Sequence, residues 1–175
     1  AKYYRSPKKL YATTFLVPPI RSSVAPSAFG EADTIGYAWM AHYKGQLVHQ
    51  DPITFRFWGV GDDVLVVRVG GKVVLSACFE GGRWGSENIA NSWHSSAKNN
   101  RRFYLGNTTA AIGDWITLAP GEPLDMEVIL GEAPGGNFSS LLAVEVEGEE
   151  YDRNRQGGPI LPIFKTTEPS LDLMD

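Results

Sequence analysis

Nineteen glycines and eleven prolines are scattered along the chain instead of gathering in one linker, and they cut it into short segments. Between them no helical spacing of apolar residues lasts beyond about two turns, which counts against a helix bundle or an alternating α/β fold. What does last is a period of two. In Val64-Leu65-Val66-Val67-Arg68-Val69, Leu65, Val67 and Val69 share one face and Val64, Val66 and Arg68 the other. Gly70-Gly71 follows, two residues that accept positive φ, and Lys72 to Ala77 returns, so this unit predicts a tight hairpin. Further strands are predicted at Leu10 to Val17, ended by Pro18-Pro19, at Tyr37 to Tyr43, and at Thr54 to Trp58 after Asp51-Pro52. Near the C-terminus Met126, Val128 and Leu130 share a face, and Glu132-Ala133-Pro134-Gly135-Gly136-Asn137 reads as the turn of a second hairpin. Leu142, Val144 and Val146 then alternate with Leu141, Ala143, Glu145 and Glu147. Many short strands with this turn spacing predict an all-β protein, an antiparallel β-sandwich.

At 175 residues the chain suits one domain, and 43% hydrophobic against 21% charged residues supplies a real core. The expected sandwich core runs over about 10–147, with 148–175 as a closing segment and tail in which Ile160-Leu161-Pro162-Ile163-Phe164 reads as a proline-limited edge strand. Residues 80–102 are polar, lack period-two order and read as a long insertion, the kind of connection that serves as a binding loop or lid. Sixteen basic against twenty acidic residues leave a net charge of −4, so no bulk attraction to nucleic acid is expected. No apolar run approaches the ~18 residues of a membrane helix, so no membrane insertion is expected. The start, Ala1-Lys2-Tyr3-Tyr4-Arg5, carries no signal-like apolar segment, which fits either a cytoplasmic chain or a processed piece of an exported one. The single cysteine, Cys78, excludes an internal disulfide and reads as a small buried hydrophobe.

The chain has no Gly-x-Ser-x-Gly elbow, no His-Glu-x-x-His and no Walker loop. Gly59-Val60-Gly61-Asp62-Asp63-Val64 imitates half of a dinucleotide fingerprint, but Val64 replaces the third glycine and two carboxylates stand where pyrophosphate belongs. His42, His49 and His94 lack ligand spacing; His42, within a strand, reads as structural. Asp62 and Asp63 are more informative. Neighbouring carboxylates entering an apolar strand repel unless water or a cation intervenes, and hard oxygen donors suit calcium; solvated turn residues are the plain alternative. Trp39, Trp58 and Trp115 lie in apolar runs and read as core. Trp84 and Trp93 stand in the insertion beside Asn88, Asn91, Asn99 and Asn100, with His94 following Trp93. An indole face with nearby amides is what stacking on a sugar and bonding its hydroxyls requires, while a loop packed back on the sandwich explains the same residues. Asn107-Thr108-Thr109 and Asn137-Phe138-Ser139 match the glycosylation acceptor, which matters only in a eukaryotic secretory setting.

The stretch Phe55-Arg56-Phe57-Trp58-Gly59-Val60-Gly61-Asp62-Asp63-Val64, continuing through Val69-Gly70-Gly71-Lys72-Val73-Val74, resembles the protective-antigen-type domain, a β-sandwich module of bacterial toxins, glycosidases and flocculin-type adhesins. Its signature is an aromatic strand, an Asp-Asp pair, an apolar strand and a hairpin before Lys-x-Val. Trp115-Ile116-Thr117-Leu118-Ala119-Pro120-Gly121-Glu122-Pro123 with Met126 to Leu130, the closing alternation to Val146, and Tyr37 to Gly45 extend the resemblance over about residues 10 to 147, with 80–102 inserted. In the adhesin branch the pair is joined by a cis peptide and holds a calcium ion that binds sugar hydroxyls. The resemblance thus implies Asp62 and Asp63 as calcium ligands. The chain departs from that pattern in having Val64 and Leu65 after the pair, where Gly-Ser is frequent, and in lacking the adhesin disulfides. The adhesins also use an asparagine from a second loop, for which Asn137 and Asn154 are candidates.

The expectation is therefore a non-catalytic carbohydrate-binding module of an exported, periplasmic or cell-surface protein, its partner a glycan or cell-surface polysaccharide. Calcium would sit on Asp62 and Asp63, with Trp84, Trp93, Asn88, Asn91 and His94 contacting the ligand. The rival expectation is a structural or protein-interaction module with neither sugar nor metal. No acid–base pair with hydrolytic spacing supports an enzyme.

Overall fold

The computed structural model describes residues 4–78, 103–105, 108–132, 136–155 and 157–168. Ten strands occur among them: β1 Leu16–Arg21, β2 Trp39–Leu47, β3 Ile53–Asp62, β4 Val64–Val69, β5 Lys72–Ser76, β6 Phe103–Leu105, β7 Thr108–Ile112, β8 Ile116–Leu118, β9 Leu124–Glu132 and β10 Asn137–Val146. A 3-10 turn at Ser22–Val24 and a four-residue helix at Ala25–Ala28 lie between β1 and β2. Two antiparallel sheets result, as the alternation predicts. One runs β1-β10-β3-β7-β6 with β8 also on β3, and the other runs β2-β9-β4-β5. No helix among the described residues is long and apolar enough to cross a membrane.

The core lies between the sheets. Phe55 and Phe57 from β3, Leu65 and Val67 from β4, Leu75 from β5, Met126, Val128 and Leu130 from β9, and Phe138 and Leu142 from β10 are all buried in it. The hairpin forms as the sequence predicts, with Gly70 and Gly71 at φ of 54° and 81°. Strand β3 is buried on both faces. Its outward Trp58 and Val60 join Ala110, Ile112 and Ala143 in a smaller cluster, with Leu161 of the closing segment packed against it. A strand covered on both sides shows no polar–apolar alternation, so the pattern marks it only to Trp58 although β3 runs to Asp62.

Three expectations need correction. The first strand is not ended by Pro18-Pro19: β1 runs through both prolines with a register shift between Val17 and Ile20 against β10. It is an edge strand, where a missing N–H costs no ladder bond. The second hairpin does not exist. β9 pairs with β2 and β4, whereas β10 pairs with β1 and β3, so the chain crosses from one sheet to the other between them. Trp115 is not core: it stands just before β8, 43% exposed. The segment around Ile163 meets β10 through an isolated bridge to Ala143, with Val144 N–H donating to the Pro162 carbonyl.

Two glycines set the spacing near one end of the sandwich. A Cβ on Gly59 would lie 2.6 Å from a Leu75 methyl, and one on Gly61 would lie 2.5 Å from the Ala77 carbonyl oxygen and 2.7 Å from the Leu65 nitrogen. The sheets are thus pinched together here to a separation only hydrogen fits. At this pinch the chain steps from β3 to β4 with Asp63 alone between them.

Candidate functional site

Two sheet-to-sheet crossings lie side by side at the pinched end. Asp62 stands opposite Ser139 in the β3–β10 ladder, and Val64 stands opposite Gly131 in the β4–β9 ladder. The crossing through Asp62-Asp63 therefore faces the one that leaves β9 at Glu132. The Asp62–Asp63 peptide is cis. Asp63 is 7% exposed and Asp62 half-buried.

The aspartates do not point apart. Burial first, then the Asp63 charge and a side-chain hydrogen bond with Asp63, raise the Asp62 carboxyl above its usual range. Glu132 is more perturbed still. It is 3% exposed, and burial together with the charges of Asp63 and Asp62 pushes its carboxyl from 4.5 up to about 8. Neither Glu132 oxygen has a hydrogen-bond partner among the described residues. Trp39 Nε1 and Ser140 Oγ, also buried, share that condition. Trp39 is the register partner of Glu132, and its ring meets Phe138 edge-on at 4.7 Å. A buried carboxylate without a donor is costly, and native structures rarely keep one without a reason.

Adjacent Asp62 and Asp63 offer hard carboxylate oxygens whose mutual repulsion a divalent cation relieves, which is the right donor chemistry for calcium. Among the described residues, no three His, Cys, Asp or Glu side chains are drawn together tightly enough to form a metal-ligand cluster. Of the second-loop candidates, Asn137 is exposed at the start of β10, at this same end. Asn154 closes a turn in the closing segment, its Oδ1 accepting from Gly158 N–H at 3.0 Å. Trp84, Asn88, Asn91, Trp93 and His94 lie outside the described residues. Cys78 is half-buried, and burial pushes its thiol up.

Glu132 escapes a reading that treats it as the first residue of a turn. Yet the alternation of Met126, Val128 and Leu130 continues one step further and places Glu132 on the core face, a signal already in the sequence.

A second polar region occupies the outer face of the larger sheet. A cleft of about 520 Å³ opens there, lined by Arg56, Trp58, Glu145, Tyr151 and Arg153 among others. Here the groups satisfy one another. Arg56 Nε and Trp58 Nε1 each donate to Glu145 Oε2 at 2.6 Å, and the Arg56 guanidinium lies 4.3 Å from the Trp115 ring centre. Tyr151 OH donates to Glu149 and accepts from Val146 N–H. His42 also sits on an outer face, its Nε2 2.8 Å from Glu127 Oε2.

No family model and no curated protein sequence matches the chain. Solved structures do. A PA14 sugar-binding domain from an RTX adhesin aligns with a TM-score of 0.54 at 13% identity, over 87% of this chain and 72% of that one. The PA14 domain of the MpAFP antifreeze protein aligns with a TM-score of 0.54 at 12% identity, over 88% of this chain and 69% of that one. The fold is PA14-like. PA14 is the protective-antigen-type sandwich, and at these identities the likeness speaks for architecture, not ligand.

Proposed function

We propose that the chain is a non-catalytic carbohydrate-binding module of an exported or cell-surface protein, holding calcium at Asp62 and Asp63. The observation that carries this reading is the pair of adjacent carboxylates, Asp63 buried and Asp62 half-buried, where the chain steps from one sheet to the other at the glycine-narrowed rim. The sugar-binding PA14 neighbour supports the ligand class. Bound calcium would neutralise the carboxylates and offer open positions to vicinal sugar hydroxyls. The protein's own part is to hold two acids adjacent at a rim that the Gly59–Gly61 pinch keeps narrow. Residues Trp84, Asn88, Asn91, Trp93 and His94 would then set specificity.

The test is a melting curve of the chelator-treated protein with and without calcium, paired with a glycan array under both conditions. A ligand that binds only the folded form raises stability by RT ln(1 + [L]/Kd), so calcium should raise the Tm of the wild type and leave Asp63→Ala unmoved. Calcium-dependent array binding completes the reading. An unmoved wild-type Tm removes the cation. An array blank in both conditions leaves the structural or interaction module as the function.

A further inference from the structure

We propose that the cleft on the outer face of the larger sheet is a second binding site, for a neutral glycan, and that it works without calcium. It shares the ligand class proposed above but none of the rim residues, so it stands or falls apart from Asp62 and Asp63. Strand β3 supplies its floor. Arg56 and Trp58, two positions apart, share the outward face of that strand, and Glu145 of β10 is the register partner of Arg56. The closing segment supplies the wall. Arg153 and Pro159 are joined by a bridge around the turn at Asn154, and they line the cleft together with Tyr151. Its volume of about 520 Å³ lies within the range of small-molecule sites and has room for a short saccharide.

The mixture of charges in the lining disfavours an ion as occupant. Glu145, Glu149 and Glu150 surround the same cleft as Arg56 and Arg153, so an anion meets the carboxylates and a cation meets the guanidiniums. A hydroxyl both donates and accepts, and adjacent hydroxyls of a sugar use both kinds of group at once. The bonds within the cluster engage Glu145 Oε2 and Arg56 Nε, and each group has a further oxygen or further N–H donors to offer. The aromatic part is held in place. Tyr151 is half-buried, and its hydroxyl accepts from Val146 N–H at 3.0 Å and donates to Glu149 at 2.9 Å, which pins the ring at the cleft. Arg56 is fixed as well, by Glu145 and by the Trp115 ring, whose centre lies 4.3 Å away. A ring offers its face to the C–H side of a sugar, and groups already ordered lose little entropy when a ligand arrives. The internal bonds that balance this cluster therefore also preorganise it.

The full chain is tested in excess EDTA, which withholds divalent cations from the rim. The probes are maltotriose, cellotriose, laminaritriose and mannotriose, with trigalacturonic acid as the anionic comparison and a chitosan trimer as the cationic one. Saturation-transfer difference NMR detects binding, and calorimetry gives the Kd. The variants are Tyr151→Leu and Arg153→Ala, with His42→Ala on the outer face of the other sheet as the control. Arg153 is exposed, so its variant keeps the fold even if Tyr151→Leu does not, and melting curves check all three. The expected result is binding of at least one neutral trisaccharide, with the same Kd in EDTA and in calcium. That Kd should weaken at least about fivefold in Tyr151→Leu and in Arg153→Ala, and stay unchanged in His42→Ala. No binding of a neutral probe in EDTA overturns the proposal, as does binding of the charged trisaccharides alone. Affinity unchanged in both cleft variants moves the sugar elsewhere and overturns it too. Each of these results leaves calcium at the rim to its own test.

Discussion

Two polar clusters flank strand β3, and they treat charge in opposite ways. Toward its start, on the outer sheet face, Arg56, Trp58 and Glu145 are joined by two 2.6 Å hydrogen bonds, and each charge has its partner within the chain. At its end Asp62 adjoins Asp63 and Glu132, like charges with donor-less oxygens on the most buried member. The outer cluster is complete as it stands. In the rim cluster the Glu132 carboxyl has no hydrogen-bond partner among the described residues. A pocket-shaped surface alone does not mark the rim site: the open cleft belongs to the satisfied cluster, and the unsatisfied one is nearly closed.

The largest expected effect follows from that contrast. In chelator, Glu132 takes up its proton at about pH 8 when folded and near 4.5 when unfolded. Between those values the folded chain holds a proton that the unfolded chain has released, so raising the pH favours unfolding. The penalty is absent below about pH 4.5 and complete above about pH 8, and the upward shift of Asp62 acts in the same direction. Its size is on the order of a few kcal/mol. Urea unfolding in chelator at about pH 5 and pH 8 should show wild-type stability falling relative to Glu132→Gln as the pH rises. A wild-type curve parallel to that of Glu132→Gln at both pH values contradicts this account.

Next comes the pinch that brings the rim acids together. Gly61→Ala places a methyl 2.5 Å from the Ala77 carbonyl, a backbone atom that cannot rotate aside. A loss of about 2–3 kcal/mol is expected, with weaker calcium binding because the crossing is displaced. Gly45→Ala, where a Cβ meets nothing within 4 Å, is the control and should change stability by less than about 0.5 kcal/mol. Equal losses in the two variants show that the sheets are not held close at this end.

The same positions show how much of the molecule was legible beforehand. The hairpin from Val64 to Ser76 was, because alternation and Gly-Gly are local signals that agree. The pairing of β9 and β10 was not, because alternation reports which face a residue takes and never which strand lies beside it. The alternation assigns both strands their correct faces and misses only their partners. Pro18 and Pro19 misled because proline ends central strands but is tolerated at an edge. At the site, adjacent acids drew attention to Asp62 and Asp63. Glu132, seventy residues after Asp62, needed the crossing geometry to be seen as their neighbour.

The outer cluster should be sensitive to its own members and indifferent to calcium. Glu145→Ala leaves Arg56 Nε and Trp58 Nε1 without their shared acceptor, and Trp58 is only 3% exposed. About 1–2 kcal/mol is expected, since part of the Arg56 charge regains water while the indole N–H does not. Denaturation with and without calcium should give the same loss. A calcium-dependent loss joins the two clusters into one system and defeats the contrast.

Trp115→Ala is the smallest test and the sharpest on how that cluster is built. Period two sets Trp115 with Thr117 on the face opposite Ile116 and Leu118, and Thr117 bonds Thr54 on that outer face at 3.0 Å. Trp115 is 43% exposed, and the guanidinium of Arg56 lies 4.3 Å from its ring centre. A cation over an exposed indole contributes about 0.5–1 kcal/mol, so the variant should lose no more than that. The loss should also shrink in an Arg56→Ala background, because the double change removes a contact already gone. A loss of several kcal/mol, or one independent of Arg56, shows that Trp115 is packed as core after all. In that case the outer cluster is held by burial like the rest of the sandwich, and internal charge pairing no longer distinguishes it from the rim.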